Sequence, residues 1–275
     1  MSSCSDPIGV FDSGVGGLSV LRAMREQMPY ENMIYFGDQG HVPYGPRSME
    51  QIQNFSEGIT NFLLYNKSKL IVVACNTASA AALKYLRGKF SGVTFVGMEP
   101  AVKPAAETTQ TGKVGVLATP ATFQGALYAS VVERFGASVK LFQHTCPGLV
   151  GQIEKGELHS SVTRAILEEA LRPMLDENID TVVLGCTHYP FVIPLIQEIV
   201  GDQVRVIDPA PAVARQVGRL LDLMKLRNTP GTVGRLKIFT SGDVNIVESI
   251  LPKLLSESVN VSLVHWVSDT QLEAR

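Results

Sequence analysis

Two cysteines of this sequence stand in matched settings. Cys75, in Ile71-Val-Val-Ala-Cys-Asn-Thr, and Cys186, in Val182-Val-Leu-Gly-Cys-Thr-His, each close a short apolar run and precede residues suited to starting a helix. A thiolate can take a proton from a carbon acid and a thiol can return one. On opposite faces of one carbon, such a pair would invert it, one sulfur starting as thiolate and the other as thiol. A free thiol of pKa about 8.5 is only a few per cent ionised at neutral pH. Lowering that value by about 1.5 units takes roughly 2 kcal/mol. A helix N-terminus supplies about 0.3–1 kcal/mol, so further groups are required.

The two settings differ in those further groups. Asp12, in Ile8-Gly-Val-Phe-Asp-Ser-Gly, matches Ala118 in Val114-Gly-Val-Leu-Ala-Thr-Pro, while His188 matches Thr77. A carboxylate beside Cys75 raises that thiol's pKa unless it accepts a proton or pairs with a substrate ammonium. His188, two residues beyond Cys186, can exchange a proton near neutral pH. The Asn76-Thr77 and Thr187-His188 pairs offer side chains and N–H groups suited to capping and to holding a carboxylate.

Other readings stand beside these. Free cysteine often merely packs, His188 could be a core or capping residue, and Asp12-Ser13 a helix cap. A Cys-Asp-His set could be a hydrolase triad, although a triad has no need of two symmetric cysteines. Gly14-Val-Gly-Gly-Leu-Ser19, with Asp38 closing the next strand, approximates the fingerprint of a nicotinamide-dependent oxidoreductase. Ser19 replaces its third glycine, and Asp12 would stand where pyrophosphate should bind. A catalytically idle amino-acid-binding module is a further alternative. Cys146, before Pro147-Gly148, reads as structural, and Cys4 as part of a loose terminus. CxxC and HExxH spacings are absent, so no metal is expected.

The positioning elements are legible from hydrophobic pattern. Ile8–Phe11, Met33–Phe36, Leu70–Ala74, Val93–Val96, Val114–Leu117, Val139–Phe142, Val182–Leu184, Val204–Ile207, Leu236–Phe239 and Val259–Val264 read as strands. Several are apolar on consecutive residues, as strands buried on both faces should be. Ile52, Phe55, Ile59, Phe62 and Leu63 form a helical stripe behind a Ser48/Gln51 capping box. Phe123, Leu127, Val131 and Phe135 form another, ended by Gly136. Such alternation predicts an α/β fold with mostly parallel sheets.

A repeat sharpens this. The two Ile8/Val114 segments lie 106 residues apart, the cysteines 111, and the prolines of Val96-Gly-Met-Glu-Pro-Ala and Arg205-Val-Ile-Asp-Pro-Ala 109. Three matches in one order predict two pseudo-symmetric α/β domains facing across a cleft, with a cysteine at the carboxyl edge of each sheet, where ligands bind in open α/β folds. Residues 211–275 are then extra βα units.

Composition limits the partners. The 275 residues carry 24 Lys plus Arg against 26 Asp plus Glu and a single Trp, which argues against nucleic acid as a partner. Apolar runs of about six residues, such as Leu70–Cys75, cannot span a bilayer, so no membrane partner is expected. The opening Met1-Ser-Ser-Cys-Ser-Asp-Pro lacks a basic segment followed by an apolar stretch, so no secretory leader is expected. Four cysteines in a chain of this length do not make a disulfide scaffold, which suggests a cytoplasmic protein with reduced thiols.

Taken together, Asp12-Ser-Gly-Val-Gly-Gly-Leu, Tyr35-Phe-Gly-Asp, Val42-Pro-Tyr-Gly, Ala74-Cys-Asn-Thr-Ala-Ser, Gly185-Cys-Thr-His-Tyr-Pro and Ile207-Asp-Pro resemble the glutamate racemases of the aspartate/glutamate racemase family over roughly residues 8–225. The resemblance implies a cofactor-independent two-base isomerase, a homodimer acting on the small molecule glutamate and supplying D-glutamate for peptidoglycan synthesis. It implies Cys75 and Cys186 as the proton carriers, with Asp12, His188 and Glu154 assisting. Asp12, Ser13, Tyr44, Gly45, Asn76, Thr77, Thr187 and His188 would bind substrate, joined by Thr119 and Thr122. A discontinuous first domain, 1–97 plus 211–275, would enclose a second, 98–210. A racemase of aspartate or another amino acid fits the same groups. Two stretches depart from the pattern: Gln39-Gly40-His41 stands where many members have Thr-Ala-Arg, and Gly151-Gln-Ile-Glu is more polar than the usual Val-Pro-Leu-Val.

Overall fold

The computed structural model describes residues 2–136 and 139–274. In chain order the first elements are β1 (Ile8–Asp12), α1 (Leu18–Gln27), β2 (Met33–Gly37), α2 (Met49–Tyr65), β3 (Leu70–Val73), α3 (Asn76–Lys89) and β4 (Phe95–Gly97). There follow α4 (Val102–Thr108), β5 (Lys113–Ala118), α5 (Pro120–Gln124), α6 (Ala126–Phe135), β6 (Lys140–His144), α7 (Leu149–Glu154), α8 (Ser161–Asp176), β7 (Thr181–Gly185), α9 (Ile193–Val200) and β8 (Arg205–Ile207). The tail holds α10 (Ala210–Met224), β9 (Leu236–Thr240), α11 (Val244–Leu255), β10 (Val261–Ser268) and β11 (Gln271–Ala274). The chain forms two compact units, Met1–Met98 with Ala210–Arg275, and Glu99–Pro209.

The first unit has one seven-stranded sheet ordered β11-β10-β9-β2-β1-β3-β4. Every residue of β1, β2 and β3 is buried, which is why their sequences are apolar without alternation. The stripe of α2, Ile52, Phe55, Ile59, Phe62 and Leu63, packs on Phe11, Phe36 and Val73 and on Ala78, Ala82 and Leu86 of α3. Each large side chain so buried contributes about 1.5–3 kcal/mol. Ser48 and Gln51 form the expected reciprocal capping box at the start of α2.

The tail completes this sheet: β9 pairs parallel with β2, from Met33↔Leu236 to Gly37↔Thr240, and β10 extends it. Its last strand, β11, pairs antiparallel with β10, an element that the polar run Gln271-Leu-Glu-Ala does not announce. The hairpin sits on α2, where Gly58 makes room for it. A Cβ on Gly58 would stand 2.6 Å from the Trp266 ring and 2.9 Å from the Thr270 backbone. Lys69, whose ammonium is fully buried, ties the discontinuous pieces together. It donates to Glu31 at 2.6 Å and to the carbonyls of Cys4 and Leu226.

The second unit has a four-stranded sheet ordered β6-β5-β7-β8. Substituting β5, β6, β7 and β8 for β1, β2, β3 and β4 reproduces the central order of the first sheet, β2-β1-β3-β4. Registers agree as well: Ile8 lies opposite Leu70, and Val114 opposite Thr181. The third repeat match is displaced by two residues. Val72↔Val96 corresponds to Val183↔Ile207, so the strand residues repeat at an interval of 111, while the following prolines repeat at 109. The predicted helix with the stripe Phe123, Leu127, Val131 and Phe135 is two helices, broken where Gly125 adopts extended backbone (φ −71°, ψ 138°), and ended by Gly136 as expected. Among the described residues, no helix is long and apolar enough to cross a membrane.

Candidate active site

In the first unit, the pairing of Phe11 with Val73 brings Asp12-Ser13 and Cys75 to the same carboxyl edge. Cys75 is the N-cap of α3. Its sulfur accepts from the Ala78 N–H at 3.4 Å, and its thiol lies 3.8 Å from Ser13 Oγ as donor. Only 4% of the residue is exposed. Burial raises its pKa well above the ordinary thiol value, and the charge of Asp12 raises it further, against the smaller opposing effect of the Ala78 N–H. Free Cys75 therefore rests as a thiol beside a carboxylate.

Asp12 is fully buried, and its Oδ2 accepts the Gly17 N–H at 2.8 Å at the start of α1. A Cβ on Gly17 would meet Asp12 Cβ at 2.7 Å and the Ala74 carbonyl at 3.0 Å, so this residue must be glycine for the carboxylate to reach the helix. The glycines after β1 thus cradle the protein's own carboxylate where a dinucleotide fold would place pyrophosphate. That geometry disfavours the dinucleotide-binding alternative.

Asn76 and Thr77 are buried beside Cys75. Neither polar atom of the Asn76 amide finds a protein partner among the described residues. A buried amide costs about 1–3 kcal/mol per unmade bond, and this one keeps a donor and an acceptor able to take further hydrogen bonds. Tyr44 is buried, and its hydroxyl donates to Asp38 Oδ2 at 2.6 Å. Burial raises the Tyr44 pKa first, then the charge of Asp38, with further contributions from Cys75 and Asp12. The phenol therefore stays protonated within electrostatic reach of Cys75 and Asp12. Gly45 follows with open space about its Cα.

In the second unit, Ala118 lies opposite Gly185, so Thr119 and Cys186 follow at one carboxyl edge. Cys186 is 5% exposed, and its sulfur lies 3.8 Å from His188 Nδ1. His188 Nε2 is 2.6 Å from Glu154 Oε1, at the end of α7. Burial alone would lower the His188 pKa, but hydrogen bonds and charges of Cys186 and Glu154 outweigh it and hold the imidazolium form well above its usual range. Cys186 thus faces a cation and Cys75 an anion. Thr187 is buried next to them. Thr119 and Thr122 bond each other at 2.9 Å, and Thr119 Oγ1 caps α5 by accepting the Thr122 N–H. These bonds order the two hydroxyls at the start of α5.

Further buried residues adjoin these clusters. Cys146, read as structural, is buried with a positive φ of 45°, its thiol pushed up to about 12 by burial and then by Cys186 and Glu169. Tyr189 is buried and feels both Cys186 and Cys146. Asp38, read as a strand-end acid and as the close of the Tyr35-Phe-Gly-Asp motif, gathers on its carboxylate donors from Tyr44, His41, Ser241 and Trp266. The departing stretch Gln39-Gly40-His41 is engaged throughout: Thr240 Oγ1 donates to Gln39 Oε1 at 2.7 Å, and the Gly40 N–H to Ser241 Oγ at 2.9 Å.

The sequence profile of the Asp/Glu/Hydantoin racemases matches residues 8–217, which include every residue of the clusters above except Thr240, Ser241 and Trp266. The chain belongs to the Asp/Glu/Hydantoin racemase family. It is 48% identical over 261 residues to the glutamate racemase of Pseudomonas paraeruginosa, covering 95% of this chain and 98% of that relative. To the glutamate racemase of Herpetosiphon aurantiacus it is 50% identical over 237 residues, 86% of this chain and 93% of the other. Among solved structures it is similar to glutamate racemase isoform RacE1 from Bacillus anthracis, with a TM-score of 0.83, 34% identity and coverage of 94% and 97%. It also resembles the glutamate racemase from Francisella tularensis in complex with D-glutamate, with a TM-score of 0.82, 30% identity and coverage of 97% and 98%. Membership in the racemase family makes the chain an isomerase with a two-domain, mostly parallel α/β architecture.

Proposed function

We propose that this chain interconverts L- and D-glutamate by a two-base mechanism with Cys75 and Cys186 as proton carriers. The observation that carries the reading is the pair of buried, strand-end thiols at corresponding places in two sheets of one order, each with a different proton-handling partner. The near-full-length glutamate racemase relatives support the choice of substrate.

One cysteine, as thiolate, takes the α-proton, and the C–H electron pair passes to carbon and into the adjoining carboxylate. The other, as thiol, gives its proton to the opposite face and is left as thiolate. Asp12 and His188, with Glu154 behind it, exchange protons with the two sulfurs and the substrate ammonium. Preorganised donors stabilise the charge that develops on the substrate carboxylate. Asn76, Thr77, Ser13, Tyr44, Gly45, Thr187, Thr119 and Thr122 complete the substrate contacts in this reading. The electron pair needs no sink beyond the substrate, so the scheme uses no cofactor.

The product D-glutamate would supply peptidoglycan synthesis, and the enzyme would act in the cytoplasm as a homodimer. Four free cysteines are in keeping with a reducing compartment.

Polarimetry of purified protein with L-glutamate, in parallel with L-aspartate and with nothing added, tests the substrate. Rotation is expected to decay to zero with glutamate and to persist with aspartate. Decay with aspartate alone would overturn the assignment.

A further inference from the structure

The carboxylate of Asp38 is fully buried and accepts from four side chains. Tyr44 Oη donates to Oδ2 at 2.6 Å and His41 Nδ1 to the same oxygen at 3.0 Å. Ser241 Oγ donates to Oδ1 at 2.6 Å and Trp266 Nε1 to Oδ1 at 2.8 Å. An ionised carboxylate has about four acceptor sites, and here all are used. Two of the donors belong to the tail: Ser241 follows β9, and Trp266 lies in β10.

The same segments meet through their rings. His41 lies flat on Phe55, centroids 3.9 Å apart and planes within 7°, and Trp266 lies 5.2 Å from His41 and 5.7 Å from Phe55. Tyr44 lies 5.8 Å from Phe55. The Asp38 backbone N–H in turn donates to the Asp12 carbonyl at 3.0 Å, which fixes the carboxylate against the strand end that carries Asp12.

We infer that Ser241 and Trp266 are positioning residues for the reaction, acting through Asp38 to hold the Tyr44 phenol and the Tyr44-Gly45 turn in the pose that binds substrate. Neither tail residue touches the reacting atoms. Their donors set the orientation of the carboxylate, and the carboxylate sets the phenol. Charge-assisted hydrogen bonds are the short, orienting kind. With one tail donor removed, Oδ1 keeps the other, so the carboxylate gains rotational freedom and Tyr44 loses its fixed acceptor. The inference rests on the reading of Tyr44 as a substrate contact.

The test is steady-state racemisation of both glutamate enantiomers by Trp266→Phe, Ser241→Ala and Asp38→Asn, each made in the wild-type and in a Tyr44→Phe background. In the wild-type background each tail variant is expected to raise KM about 3- to 10-fold, with kcat changed by no more than about twofold. In the Tyr44→Phe background the same substitutions should leave KM within about twofold, because their effect has lost its route. Equal KM increases in both backgrounds, or none in the wild-type, would overturn the inference. Tyr44→Phe without effect on KM would instead remove the underlying reading of Tyr44, and the inference with it. Ser241→Ala, which removes a single hydroxyl, carries the test if Trp266→Phe does not fold.

Discussion

Cys75→Ser and Cys186→Ser are each expected to lower kcat for racemisation by roughly 10²–10⁴-fold, the range contributed by a positioned acid or base. Serine keeps the size of the side chain but gives up the acidity of the thiol, so proton transfer to or from that face fails. The other face keeps its sulfur. Each variant should therefore still exchange the α-proton of one enantiomer with solvent, and the two variants should favour opposite enantiomers. Binding of glutamate is expected to persist in both, since the substitutions leave in place the Asn76 amide and the Tyr44 turn to which the proposed function assigns substrate contacts. NMR of α-proton exchange with L- and D-glutamate separately checks this. Full racemisation by either variant, or both variants retaining exchange of the same enantiomer, would contradict the assignment of one cysteine to each face.

His188 carries the second large effect. It lies 3.8 Å from Cys186 and 2.6 Å from Glu154, and its imidazolium form is held well above the usual histidine range. His188→Asn is expected to cost about 10²–10⁴-fold in kcat, as loss of an acid/base group does. Glu154→Gln should cost less near neutral pH and should instead move the pH profile. The cationic form dominates below the raised folded-state pKa and is lost as pH rises through it. Removing the Glu154 charge takes away part of what raises that value while leaving burial, which lowers it. The alkaline limb of the kcat/KM profile should therefore move to lower pH in Glu154→Gln. An unshifted limb with reduced activity would show that Glu154 does not act through His188.

What could be read without coordinates followed from burial on both faces of strands. Ile8–Asp12 and Leu70–Val73 are apolar throughout because both surfaces of their sheet are covered, and the cysteines after β3 and β7 repeat because their strands do. The Asp12 contact with the Gly17 N–H was implicit in the objection to a dinucleotide at that glycine turn. What escaped depends on long separations or on local backbone. Ser241 and Trp266 stand 203 and 228 residues from the Asp38 they serve, beyond the reach of any periodicity. Gly125 breaks one apolar stripe into two helices through its extended ψ of 138°. The polar strand β11 forms because the turn after β10 returns it to a neighbour, with Trp266 of that neighbour seated against Gly58. The departing Gln39-Gly40-His41 becomes intelligible only beside Thr240 and Ser241.

The most direct test of two opposed bases is the fate of the α-proton in D₂O at early conversion of L-glutamate by the unaltered enzyme. The account predicts that the first D-glutamate formed carries solvent deuterium at Cα while the remaining L-glutamate keeps its proton, because the sulfur that delivers is not the one that abstracts. D-glutamate that retains the substrate's own proton would place abstraction and return on a single group and contradict the account.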